Sequence, residues 1–230
     1  MTSVLSPDQA THFAGAGALH MPAALDASVL RDLAAALSRH APAQAGTRLH
    51  GVAALTPFLA NDGPVGRAAA AVLGDATRPV RAVYFDKTAQ ANWAVPWHQD
   101  RTIVVCNRIE VAGFGPWTIK GGLQHVAPPD AVLARMLTLR VHLDAVPDGN
   151  APLLIAPGSH RLGRIAEADV PGVVARCGTV MCCAEPGDIW LYATPILHAS
   201  EPSAQPGHRR VLQVDFAADA LPGGLKWLGV

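Results

Sequence analysis

The residues best suited to chemistry are a histidine and an aspartate two positions apart, His98 and Asp100. On an extended strand such residues project from the same face, about 6 to 7 Å apart, so both can reach one metal ion. An isolated pair of this kind is a weak signal, because it also occurs as an exposed polar pair. A third ligand would complete a facial triad, the arrangement that selects Fe(II) for oxygen chemistry, and His198 is the best candidate.

An arginine pair follows the third candidate ligand, with Arg209 eleven residues after His198. A strand that returns antiparallel to the His198 strand would bring this guanidinium back near the metal, where its planar fork can bind a dicarboxylate. Side chains alternate between the two faces of a strand, and Arg210 falls on the apolar-dominated face. We therefore expect Arg209 in the cavity and Arg210 at a solvated strand end.

Length and composition predict one compact domain spanning residues 1–230. Half of the 230 residues are hydrophobic, 16% are charged, and 18 basic residues balance 18 acidic ones. The balance removes the electrostatic footprint expected for binding nucleic acid or an anionic membrane, so a small-molecule partner is favoured. We find no basic segment followed by a long apolar run, and we expect a cytoplasmic protein, either a monomer or a homo-oligomer.

The spacings of the four cysteines, Cys106, Cys177, Cys182 and Cys183, match neither a paired zinc site nor a dense disulfide framework. We expect reduced, mostly buried thiols.

Helical spacing dominates the first third of the chain, about 1–79, and β-like runs dominate the core, about 80–217. Helices are predicted over Pro22 to His40, Pro64 to Leu73 and Pro128 to Met136. Strands are predicted over Val80 to Phe85, Thr102 to Val105, Leu137 to Asp144, Leu153 to Ala156, Val173 to Cys183, Ile189 to Tyr192 and Val211 to Phe216. Seven or more short strands favour a β-sandwich or jelly roll with flanking helices.

The run from Leu137 to Asp144 alternates strictly between apolar and polar residues. Its polar face includes Arg140 and His142, which could meet a substrate or could equally be buried polar residues with satisfied hydrogen bonds.

The chain resembles the phytanoyl-CoA dioxygenase family of Fe(II)- and 2-oxoglutarate-dependent oxygenases. The resemblance runs from about Val80 to Ala217, in the expected order. Its matching stretches are Trp97 to Asp100, Leu137 to Asp144, Ala151 to Arg161, and Gly187 through His198 to Leu212.

This resemblance implies a double-stranded β-helix of the cupin-like kind, with Fe(II), 2-oxoglutarate as co-substrate and O2. It implies metal ligation by His98, Asp100 and His198 and binding of the distal co-substrate carboxylate by Arg209. Three further residues, Gln99, Trp117 and Ser200, stand where the family often contacts 2-oxoglutarate. Trp117 is equally suited to the core, and Gln99 belongs to the opposite face of the strand from the ligands.

Lys87 precedes the metal motif and could reach the co-substrate, order a loop, or lie in solvent. The expected activity is hydroxylation of a small metabolite, and the carboxylate of Asp100 favours it over halogenation. Two alternatives remain open: a metal-dependent cupin-like enzyme that does not use 2-oxoglutarate, and a catalytically silent ligand-binding domain of the same fold.

Overall fold

The computed structural model describes residues 5–40, 46–204 and 208–230. Its helices are α1 (Pro7–Ala16), α2 (Ala27–Leu37), α3 (Thr56–Leu59), α4 (Gly66–Leu73), α5 (Asp130–Leu133) and α6 (Val170–Cys177). Its strands are β1 (Ala18–Met21), β2 (Thr47–Leu49), β3 (Arg78–Lys87), β4 (Val95–His98), β5 (Ile103–Val105), β6 (Trp117–Lys120), β7 (Leu123–Val126), β8 (Met136–His142), β9 (Leu153–Ile155), β10 (Val180–Cys182), β11 (Ile189–Ala193), β12 (His198–Ser200) and β13 (Arg209–Ala217).

Two antiparallel sheets form the body of the fold. The larger has the strand order β1-β11-β8-β13-β3-β2, and the smaller has the order β10-β9-β12-β4. From β8 to β13 the chain crosses repeatedly between the two sheets, which is the winding of a double-stranded β-helix. The predicted fold class is therefore confirmed. A third sheet, β5-β7-β6, is inserted between β4 and β8.

Alternation along the two central strands divides the core from the interior of the β-helix. Leu139 on β8 and Leu212 and Val214 on β13 belong to a large apolar cluster that also includes Leu33 and Leu37 of α2. The alternate residues Arg140 and Gln213 line a cavity instead. The predicted polar face is thus the interior of the β-helix.

The first third of the chain is less helical than predicted, because it also supplies both edge strands of the larger sheet. β1 pairs with β11, and β2 pairs with β3. Helix α2 begins after the N-cap Asp26, whose side chain accepts hydrogen bonds from Ser28 N and Val29 N. Helix α1 has a capping box, in which Ser6 and Gln9 bond reciprocally, yet it buries no residue.

The single strand predicted over Val173 to Cys183 is wrong in its first half. Residues Val170–Cys177 form helix α6, and only Val180–Cys182 form a strand. Valines favour strands locally, but Val170 and Val173, with the partly buried Val174, have the spacing of one helical face and pack beside Trp97. Tertiary packing therefore outweighs β-propensity here. The helix predicted over Pro128 to Met136 shrinks to Asp130–Leu133, because Met136 already begins β8.

All four cysteines are free, but the expectation that most are buried is wrong. Cys182 is buried, Cys177 is half-buried, and Cys106 and Cys183 are exposed. Among the described helices, none has the length and apolar character needed to cross a membrane.

Candidate active site

Two histidines lie side by side on adjacent strands of the smaller sheet. His98 ends β4 and His198 begins β12; they are direct partners in the antiparallel register, and their ring centroids lie 4.3 Å apart. Nδ1 of His98 lies 2.8 Å from the carbonyl oxygen of Pro96, and Nδ1 of His198 lies 3.0 Å from that of Ile196. A carbonyl can only accept a hydrogen bond, so each Nδ1 carries the proton and each Nε2 presents its lone pair.

This arrangement is the one that metal-ligating histidines adopt, since their second ring nitrogen usually donates to a carbonyl or carboxylate. Burial lowers the pKa of His198 to about 4, although Asp100 opposes the shift. The ring is therefore neutral at physiological pH, the form a metal requires.

Asp100 follows β4 and lines the same cavity as the two histidines. Burial disfavours ionisation of this carboxyl, but the Arg81 guanidinium, followed by His198 and His98, holds its pKa below the usual value. Arg81 Nη2 donates to Asp100 Oδ2 over 3.1 Å, and Oδ1 is not part of that contact. Asp100 is thus an ionised carboxylate held in orientation from one side.

The three side chains line one cavity without forming a closed cage. Among residues 5–40, 46–204 and 208–230, no group of three or more His, Cys, Asp or Glu side chains meets the spacing of a finished metal site. The donor set itself, two imidazoles and one carboxylate, suits a divalent cation with open positions.

The cavity has a volume of about 260 Å³ and reaches from the histidines to a cationic end. Arg209 lies there, 3% exposed, with Nη1 donating to the carbonyl of Ala151. Nε of Arg209 and Nε of Arg140 are buried and have no hydrogen-bond partner among the residues that the structure describes. Burial, followed by repulsion from Arg140, lowers the pKa of Arg209 to about 9. A buried guanidinium with free donors fits an anionic ligand.

A third cation, Lys87, is buried at the same end of the β-helix. It pairs with Arg209 in the register of β3 and β13, and its Nζ donates to Ser200 Oγ over 3.1 Å and to the carbonyl of Glu201 over 2.7 Å. Burial, together with Arg209 and Arg140, lowers the pKa of Lys87 to about 7. The possibility that Lys87 is solvated is therefore wrong. Ser200 lines the cavity, whereas Lys87 lies behind it.

A family model decides the class of protein. The model of the phytanoyl-CoA dioxygenase family (PhyH) matches residues 13–211. The chain belongs to this family. Membership makes the protein a non-haem iron- and 2-oxoglutarate-dependent dioxygenase. The sequence has no significant match among curated protein sequences.

Solved structures of similar fold extend the comparison. EctD from S. alaskensis, with 2-oxoglutarate and 5-hydroxyectoine, aligns over 100% of this chain and 82% of its own, with a TM-score of 0.73 and 19% identity. HygX from Streptomyces hygroscopicus, with nickel and 2-oxoglutarate, aligns over 94% and 88%, with a TM-score of 0.65 and 14% identity. The epimerase SnoN, in complex with Fe3+, alpha ketoglutarate and nogalamycin RO, aligns over 94% and 90%, with a TM-score of 0.66 and 19% identity. At these identities the likeness establishes the double-stranded β-helix.

Gln99, expected from the family resemblance to contact 2-oxoglutarate, has a different role in this dioxygenase. Its side chain points away from the metal-site face, as strand alternation requires. Nε2 donates to the carbonyls of Gly163 and Pro195, and Oε1 accepts from Ile165 N. All three hydrogen bonds hold loops in place. The expected contact of Gln99 with the co-substrate is therefore replaced by contacts with these loops.

The resemblance also predicts a co-substrate contact for Trp117 that the structure does not show. It lies on β6 in the inserted sheet, packs against a second apolar cluster and has Arg108 over its ring. It does not line the histidine cavity. The inserted sheet carries it away from the β-helix interior, and its alternative role in packing is the observed one.

The two polar residues of β8 differ from each other. Arg140 lines the cavity, and its Nη1 donates to Gln213 Oε1 over 2.8 Å. His142 is 2% exposed and does not line the cavity, and within the described part of the chain neither of its ring nitrogens has a hydrogen-bond partner. Burial, with Arg140 and Arg209 adding to the effect, lowers the pKa of His142 to about 3. A substrate bound in this cavity would therefore not reach His142, contrary to the contact suggested for this residue.

Arg81 is the functional residue that sequence reasoning missed. The strand from Val80 to Phe85 was predicted, and Val80, Ala82 and Tyr84 are indeed buried apolar residues of one face. Arg81 and Phe85 are on the opposite face, in the cavity lining. The same alternation that selected Arg209 on its strand would have selected Arg81 here.

Proposed function

We propose that this dioxygenase hydroxylates a small-molecule metabolite at a metal centre held by His98, Asp100 and His198. The observation that carries the proposal is the shared cavity, in which two imidazoles with Nδ1 on backbone carbonyls and one carboxylate lie at one end and Arg140 and Arg209 at the other, with no carboxylate of the described residues paired to either arginine. The first group suits Fe(II), and the second suits the far carboxylate of a dicarboxylate.

In this proposal 2-oxoglutarate lies along the cavity, with its distal carboxylate on Arg209. The free Nε of Arg209 supplies a donor, and the carboxylate offsets the repulsion among Arg209, Arg140 and Lys87. Ser200 Oγ, which accepts from Lys87, forms part of the adjacent wall. This end of the cavity therefore contains positive charge that no carboxylate of the described residues neutralises.

The bound iron would supply the activation of O2 that couples decarboxylation of 2-oxoglutarate to oxidation of the substrate. The chain contributes orientation: backbone carbonyls fix both imidazoles, and Arg81 fixes Asp100. The carboxylate at position 100 would give the iron a third protein ligand, which would favour transfer of oxygen over transfer of halide. The related structures with 5-hydroxyectoine and with nogalamycin RO contain small molecules, consistent with such a substrate here.

The direct test is succinate formation from 2-oxoglutarate by the purified protein with Fe(II) and O2. The proposal predicts succinate that depends on all three and that increases when a substrate is added from a library of small metabolites. Hydroxylation predicts a product heavier by one oxygen atom, derived from O2. Absence of iron-dependent succinate formation, in protein shown to be folded, would contradict the proposal.

A further inference from the structure

A second cavity, with a volume of about 390 Å³, adjoins the active-site cavity at Asp100, which lines both. We call it the arginine cavity, because its wall includes Arg101, Arg161 and Arg164. Its size suits a small metabolite and is too small to enclose a coenzyme A thioester. A molecule bound there would have one end beside a proposed metal ligand.

The residues on either side of Asp100 build one wall of this cavity. Gln99 holds Gly163 and Ile165 through its side-chain amide, and Arg101 Nη2 donates to the carbonyl of Ile165 over 2.6 Å. The loop that carries Arg161 and Arg164 is therefore tied directly to the metal motif. Its position relative to Asp100 is fixed by buried and partly buried hydrogen bonds.

The arginines of this wall carry more positive charge than the carboxylates that line the cavity can neutralise. The side chains of Arg161 and Arg164 are exposed, and neither forms a hydrogen bond or ion pair with any residue in the described ranges. Two carboxylates line the same cavity: Asp100 is already paired with Arg81, and Asp130, exposed at the start of α5, neutralises at most one of the two arginines. The two loop guanidinium groups are thus free to bind an anion.

Another part of the cavity lining is apolar. It is formed by Pro128, Ala131, Leu133, Ala134, Ala193 and Pro195. A ligand that matches both sides has a compact apolar body and one anionic group.

From this arrangement we propose that the arginine cavity binds the primary substrate, a small organic acid whose carboxylate or phosphate pairs with Arg161 and Arg164. The apolar body lies on Leu133 and its neighbours, and the carbon to be oxidised lies toward Asp100. This inference rests on the proposed function and adds the class of substrate. It also separates the two anions: the dicarboxylate co-substrate binds at Arg209, and the substrate binds at the loop arginines.

The test uses the full-length protein loaded with Mn(II) and 2-oxoglutarate, so that binding is measured without turnover. Three probes share one apolar body: phenylacetate, phenyl phosphate and the neutral phenylacetamide. Isothermal titration calorimetry should give an affinity for at least one anionic probe that exceeds the affinity for phenylacetamide by about tenfold or more. The preferred anion identifies a carboxylate or a phosphate substrate.

Substitutions of the loop arginines test whether the anionic probe binds in the arginine cavity. The double variant Arg161→Gln, Arg164→Gln should lose about tenfold or more of the affinity for the anionic probe, and Arg164→Lys should retain part of it. Arg67→Gln changes an exposed arginine on α4, outside both cavities, and should bind the probe like the parent protein. Thermal unfolding confirms that each variant is folded.

Three results would overturn the inference: equal affinity for phenylacetamide and the anions, wild-type affinity in the double variant, or no binding of any probe. Titration of 2-oxoglutarate into the Mn(II)-loaded wild-type protein separates these failures from failure of the proposed function. If 2-oxoglutarate binds in a metal-dependent way, only the assignment of the arginine cavity is lost. If it does not bind, the proposed function itself fails.

Discussion

Arg81 holds Asp100 in orientation through a hydrogen bond of 3.1 Å from Nη2 to Oδ2. The same guanidinium donates from Nε to Asp215 Oδ2 over 2.6 Å, and Thr138 Oγ1 donates to the other oxygen of Asp215 over 3.0 Å. Burial alone would lower the pKa of Arg81, but the two carboxylates raise it. The proposed metal ligand is therefore attached through one arginine to the larger sheet.

Replacement of Arg81 by methionine should reduce both stability and metal affinity. The free energy of unfolding should fall by about 3 to 5 kcal/mol, because Asp215 and Asp100 would keep buried charges without a partner. Mn(II) affinity should fall about 10- to 100-fold, as is common when a residue that orients a ligand is lost. Chemical denaturation and calorimetry measure the two effects.

The control for this change is Arg108→Met, which removes an exposed pair with Glu110. That change should cost less than about 1 kcal/mol and leave Mn(II) binding unaltered. Full Mn(II) affinity in the Arg81 variant would show that Asp100 needs no such support.

Two adjacent arginines offer a matched test of the co-substrate site. Arg209→Ala should raise the KM for 2-oxoglutarate tenfold or more, about the loss of one charged hydrogen bond, because this side chain lies inside the cavity. Arg210 points the other way and pairs with Asp144, so Arg210→Ala should leave that KM within about twofold. Steady-state succinate formation measures both, and equal effects would refute the inward assignment of Arg209.

Co-substrate binding should depend on the protonation of Lys87. Its pKa is lowered to about 7 by burial and by the neighbouring arginines, so a fraction of the amine is neutral at neutral pH. A bound dianion stabilises the charged form and raises this pKa, so binding takes up protons and weakens as the pH rises through about 7 to 9. Calorimetry in buffers of different ionisation enthalpy counts these protons. Lys87→Met should reduce the uptake, and unchanged uptake in this variant would exclude Lys87 as its source.

Gln99 should behave as a structural residue toward 2-oxoglutarate. Gln99→Ala leaves Ile165 N and the carbonyl of Pro195 without their side-chain partner, which should lower the free energy of unfolding by about 1 to 3 kcal/mol. The affinity of the metal-loaded variant for 2-oxoglutarate should stay within about twofold of the parent value. A stable Gln99→Ala variant with greatly weakened 2-oxoglutarate binding would contradict this structural role and would support a direct contact between Gln99 and the co-substrate.

Strands with one apolar and one polar face could be predicted well from the sequence. β8 and β13 alternate apolar and polar side chains, and this period by itself separates Arg209 from Arg210. The match of residues 13–211 to the family model confirms the class of enzyme that the local motifs suggested. These features are set by neighbours in sequence or by motifs of fixed spacing.

Features that depend on long-range packing were not predictable in the same way. Helix α6 contains valines that favour a strand, and it is helical because of its contact with Trp97 and its neighbours. Trp117 is removed from the β-helix interior by an inserted sheet whose pairing joins β5, β6 and β7. The arginine cavity joins segments around positions 100, 130, 160 and 195, and no local pattern shows that they meet.

The most direct test of the central claim is the stoichiometry of metal binding to the wild-type protein and to His98→Ala, Asp100→Ala and His198→Ala. His208→Ala serves as the control, because this exposed histidine pairs with Asp86 outside the cavity. Calorimetric titration with Mn(II), alongside circular dichroism to verify folding, should give one site per chain in the wild type and the control and a loss of affinity of tenfold or more in each of the three variants. Undiminished Mn(II) binding by a folded variant of any of the three would contradict the assignment of that residue as a ligand.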